Sequence, residues 1–80
     1  MKRSIIAELR HQLFIAREKA VADLQSAQLE QNAFLRGSDS WNEFILVCDD
    51  AYQQLEIADI AVDSILQLET CLRHLNLLED

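Results

Sequence analysis

Apolar residues recur every three or four positions through the first part of the chain, at Ile6, Leu9, Leu13, Ala16, Ala20, Leu24, Ala27, Phe34 and Leu35. That spacing is one face of an α-helix, predicted over about residues 4–36 with Ser4 as its N-cap. Three alanines on the stripe leave little side chain between backbones, so a neighbouring helix can approach closely. A thinner line, Ile15, Ala22 and Leu29, runs seven residues apart on another side.

The second part opens on a single face formed by Trp41, Phe44 or Ile45, Cys48, Tyr52 and Leu55, and from residue 57 the apolar arc widens. Ala58, Val62, Ile65, Leu66 and Leu72 continue the first face. A second line runs through Ile57, Ala61, Ser64, Leu68, Cys71, Leu75 and Leu78. At 100° per residue the two lines span about 220°, wider than one antiparallel neighbour covers. The second helix is predicted over about residues 41–78, with no breaker inside it.

Between the two stands Gly37, the only glycine in a chain without proline. It suits the left-handed position that follows a helix, and Ser40-Trp41-Asn42-Glu43 reads as a capping box opening the next one. With a turn at residues 37–40 the helices run antiparallel. The expected fold is all-α: a single helical-hairpin domain over residues 1–80, completed into a bundle by a partner or by homodimerisation.

Charge sharpens the contrast between the halves. Residues 1–36 carry six bases and four acids, whereas residues 37–80 carry Arg73 alone against ten acids, within an overall net charge of −7. The second helix should repel phosphate, which argues against nucleic acid as a partner. No apolar run reaches the length of a membrane span, and no apolar stretch follows the basic N-terminus as a secretory signal requires. A cytoplasmic location is expected. Cys48 and Cys71 lie about 34 Å apart if both sit on one helix, too far to bridge, and both are expected to be reduced and buried.

The candidate chemistry is thin. Glu8-Leu9-Arg10-His11 has the Glu-x-x-His spacing of di-iron bundles but lacks a second copy and further carboxylates. Cys71 and His74 supply two zinc ligands where a structural site needs four. No phosphate loop or nucleophile elbow is present. Neither an enzyme nor a cofactor or metal is expected. Asp49, Glu56, Asp59 and Asp63 fall along one side of the second helix, a solvated acidic face or a line of carboxylates able to imitate a phosphate backbone. Glu69–Arg73 and Lys19–Asp23 have the i,i+4 spacing of helix ion pairs.

The Arg36-Gly37 turn, the aromatic after it, and Tyr52-Gln53-Gln54-Leu55-Glu56-Ile57-Ala58 followed by Ala61, Ile65 and Leu66 resemble the small two-helix co-chaperones of type III secretion needle subunits, over about half the chain. The resemblance implies a helical-repeat chaperone as partner and, as contacts, chiefly Ile57, Ala61, Leu68 and Leu75. The expected function is that of a non-enzymatic protein-binding module, a co-chaperone or adaptor, meeting a helical partner through Ile57, Ala61, Ile65, Leu68, Cys71, Leu72 and Leu75. The alternative is a homodimeric four-helix-bundle regulator or an acidic, DNA-mimic-like inhibitor.

Overall fold

A chain with one glycine and no proline has one place to reverse direction cheaply, and the reversal occurs there. The computed structural model describes residues 1–79. Helix α1 spans Arg3–Asn32 and helix α2 spans Asp39–His74. They pack antiparallel into a rod of 57 × 15 × 11 Å. The all-α hairpin expected from the apolar pattern is the fold.

The packing seam has coiled-coil spacing. On α1 the residues drawn from solvent are Ile6, Arg10, Leu13, Arg17, Ala20, Leu24, Ala27 and Gln31, with Phe14 beside them. On α2 they are Trp41, Phe44, Cys48, Ala51, Leu55, Ala58, Val62, Ile65, Glu69 and Leu72, flanked by Ser40 and Ala61. Both series alternate steps of three and four, a mean of 3.5, which keeps two helices in contact by left-handed supercoiling. Among the described residues the buried core is Ile6, Ala20, Ala27, Val62 and Ile65, of which Val62 alone is fully buried.

This seam corrects the expected faces. Leu9 and Ala16 lie outside it, and Arg10, Arg17 and Gln31 take their places on α1. Tyr52 and Leu66 are exposed, and Ala51 stands in the seam where Tyr52 was expected. Polar seam residues find partners across it. Arg10 Nη1 donates to both carboxylate oxygens of Glu69, at 2.8 and 2.6 Å. Gln31 Oε1 accepts from the Cys48 thiol at 3.5 Å, and its Nε2 donates to the Trp41 carbonyl at 3.3 Å. These pairs set the antiparallel register, which brings Ala20 level with Ala58 and Ala27 level with Ala51.

The helix ends also differ from expectation, each for a local reason. Helix α1 stops at Asn32 rather than near residue 36, because Ala33 N–H and Phe34 N–H turn to the carbonyls three residues back, Glu30 and Gln31. The Phe34 ring then meets Phe44, centroids 5.6 Å apart. Gly37 lies beyond the helix cap, in a β-turn closed by Ser38 N–H to Leu35 O at 3.0 Å. Its φ of 85° is the conformation required at the third position of a type II turn. The turn leaves Ser38 extended, and Ser38, not Ser40, caps α2 by accepting from Trp41 N–H at 3.2 Å. Ser38→Ala should cost about 1 kcal/mol in urea unfolding, whereas Ser40→Ala, inside the first turn, should cost under about 0.5 kcal/mol.

Helix α2 ends at His74, short of residue 78, because Asn76 takes φ 56°. Its N–H donates to Arg73 O, and Leu77 N–H donates to Leu72 O, the paired bonds of a Schellman motif. The chain then runs back along the start of α1, where Met1 N donates to Leu77 O at 2.6 Å. Arg3 N–H donates to Glu79 O and Glu79 N–H to Met1 O, both at 2.7 Å. Glu79 thereby satisfies the first helical amide of α1, and Lys2, in the cap position expected of Ser4, gives no side-chain cap.

Candidate functional site

Helix α2 carries a second run with heptad spacing. Ile57, Ala61, Ser64, Leu68 and Cys71, continued by Leu75 at the helix cap, alternate steps of four and three. This line lies about 100° around the helix from the α1-facing seam and is about 27 Å long. Its apolar members remain open to solvent: Ile57 is 61% exposed, Leu68 43% and Leu75 66%. Cys71 is exposed and Ala61 half-buried.

Two residues expected on this surface belong elsewhere. Ile65, 4% exposed, is in the seam against α1, and Leu72 is half-buried on the same inward line. The apolar arc of α2 therefore divides: one line holds the hairpin together, and the other is uncovered except at half-buried Ala61. Cys71 also departs from the expectation of a buried thiol, whereas Cys48 is partly buried in the seam.

Helix α1 adds a groove beside the stripe. A concavity of about 350 Å³ is lined by Leu13, Ala16, Lys19, Ala20, Asp23, Gln54, Ile57, Ala58 and Ala61. Four of these are alanines, two from each helix, so the depression exists because small side chains let the surface sink between the rod's two ridges. Ile57 and Ala61 belong to both groove and stripe, making them one surface.

Charge is absent along the stripe and its outer edge. Positions 57, 60, 61, 64, 67, 68, 71, 74 and 75 include no Lys, Arg, Asp or Glu. Asp49, Glu56 and Asp63 lie beyond that outer edge, on the side of α2 turned away from α1, and Asp59 is directed to Arg17, whose Nε is 3.9 Å away. The Arg17 guanidinium also lies 4.9 Å from the centre of the Phe14 ring.

The remaining polar cluster is structural in its bonding. Glu69, its side chain 15% exposed, receives Arg10 across the seam and Arg73 Nη2 from one turn ahead at 3.3 Å. This completes the expected Glu69–Arg73 pair and adds a longer-range partner. A cleft of about 220 Å³ beside it is lined by Arg3, Ile6, Ala7, Arg10, Glu69, Arg73 and Leu78. Glu8 of the Glu-x-x-His pair accepts from Gln12 Nε2 at 3.0 Å. Among the described residues no three of His, Cys, Asp and Glu converge as metal ligands. No described helix is long and apolar enough to cross a membrane.

Reading for apolar residues alone misses the polar seam members. The signal was present in their phase: Arg10, Arg17 and Gln31 share a seven-residue line with Leu24, and Glu69 shares one with Leu55 and Val62. No protein-family model matches the chain, and neither a curated protein nor a solved structure matches it significantly.

Proposed function

We propose that the chain is a non-enzymatic helical protein-binding module, a cytoplasmic co-chaperone or adaptor that works by burying the stripe from Ile57 to Leu75 against a further helix. The observation that carries this reading is an apolar line with heptad spacing, free of charge and uncovered, on a hairpin whose other heptad line is already used. Heptad spacing suits a rod-like helical partner lying along the stripe, because its side chains can enter successive holes. Contiguous exposed apolar surface of this kind marks interaction sites. Service to a type III secretion needle subunit is the narrower form of the proposal. The hairpin and the aromatic residue after its turn support it, and the partner would then be a helical-repeat chaperone.

Leu68→Asp tests the reading, since it places a carboxylate in the middle of the stripe and outside the hairpin seam. Light scattering of the pure chain and affinity capture from source cells should both show association lost, with helical circular dichroism retained. Glu56→Lys, on the side of α2 turned away from α1 and outside the stripe, should associate like the parent. Association undiminished in Leu68→Asp would sink the proposal.

A further inference from the structure

We propose that the cleft beside Glu69, at the end of the rod where the chain termini meet, is an anion site that takes a phosphate group, held by Arg10 from α1 and Arg73 from α2. The site is separate from the docking stripe, because Arg73 stands on the other side of the seam from Leu68 and Leu75. Filling one leaves the other open.

Charge carries the inference. The chain has seven Lys and Arg residues within a net charge of −7, yet three of the seven, Arg3, Arg10 and Arg73, line this one cleft of about 220 Å³. Glu69 is the single carboxylate among the described residues that line it. Elsewhere a base meets an acid singly, as Arg17 meets Asp59. Here one carboxylate is shared by two guanidiniums, and Arg3, engaged in a contact of its own, adds a third positive charge to the wall. Like charges gathered in this way repel, and a bound anion relieves the repulsion.

The bonding leaves donors to hold it. Arg10 reaches both Glu69 oxygens through Nη1, and Arg73 reaches one through Nη2. A guanidinium carries N–H groups on three nitrogens, so Nε and the second Nη of each arginine stand outside these bonds. Donors converging from two helices suit a tetrahedral oxyanion, whereas a flat carboxylate is satisfied by the fork of one guanidinium. A phosphate group also brings nearly two negative charges at pH 7 against one for a carboxylate. The cleft is smaller than the roughly 300–1,000 Å³ of sites for drug-sized molecules, which limits it to a small ligand. Ile6 and Leu78 in its wall are apolar, and such walls strengthen the attraction by excluding water.

Isothermal titration of the full-length chain with inorganic phosphate at pH 7, with ionic strength held constant by chloride, should show saturable binding of one ion per chain, and acetate should not bind. Phenyl phosphate, run alongside, binds if the group is read on a small ester and fails if the cleft closes round the free ion; phosphate binding supports the inference in either case. Arg73→Gln keeps the Arg10–Glu69 pair across the seam and should weaken phosphate by about fivefold or more, the low end for a charge-assisted bond at an exposed side chain. Arg36→Gln makes the same change of charge at the turn and should bind like the parent. Absence of saturable binding below about 10 mM phosphate overturns the inference. Weakening of equal size in Arg73→Gln and Arg36→Gln overturns it too, being the response of overall charge, and so does acetate binding as tightly as phosphate.

Discussion

Replacing Ile65 with alanine is expected to leave much of the chain unfolded at 25 °C. Ile65 is 4% exposed and belongs, among the described residues, to a core of five buried residues, two of them alanines. Truncating a buried isoleucine to alanine costs about 3 kcal/mol, through lost transfer energy and the cavity left behind. A core this small supplies roughly 3–5 kcal/mol in all. Ile65→Val should be milder, at about 1 kcal/mol. Ile60→Ala, one of the same type at 60% exposure, should cost well under about 1 kcal/mol. Urea titrations at one fixed protein concentration measure all three, the fixed concentration being needed wherever association is linked to folding. Equal losses at positions 60 and 65 would show that the seam runs along a different line of α2.

Reversing Glu69 to arginine is expected to be the next most damaging change. Three guanidiniums, those of Arg10, Arg73 and the new side chain, would then share one end of the seam without a carboxylate between them. Breaking a buried ion pair by removing one partner costs about 3–5 kcal/mol. Because the Arg10 side chain is 37% exposed, solvent screening should bring the loss to about 2 kcal/mol. Adding Arg10→Glu restores the cross-seam pair with its ends exchanged and should recover more than half of that loss. A double variant no more stable than Glu69→Arg would mean that the contact contributes nothing to the fold. Replacing both residues with leucine should raise stability and relax the register, since polar seam positions pin alignment more than they add energy.

The hairpin and the divided arc of α2 were legible because they depend on features that periodicity reports directly: breakers confined to Gly37, and two apolar lines about 100° apart. The membership of the α1 seam was not. Leu9 and Ala16 satisfy an apolar count, while Arg10 and Gln31 occupy the true line because partners across it, Glu69 and Cys48, satisfy their polar ends. A distant partner of that kind leaves no mark near either residue in sequence. The helix limits failed for another reason, since two serines could have capped α2 and the turn bond from Ser38 to Leu35 decides between them. Asn76 as a stop was visible only as a residue that tolerates the left-handed conformation. On the docking face, Ile57, Ala61, Leu68, Cys71 and Leu75 share one line, whereas Ile65 and Leu72 were drawn in from the adjacent seam.

The rod is 57 Å long and only two helices wide, with its turn at one end and the parallel pairing of the Met1–Arg3 and Leu77–Glu79 segments at the other. Both ends are local closures that do not depend on how many layers lie between them. Insertion or loss of seven residues in each helix at matching levels would therefore change the rod by about 10 Å while preserving both closures and the phase of both faces. Such a chain can drift in length by paired heptads during evolution, and its relatives would then be better sought by the spacing of seam positions than by total length.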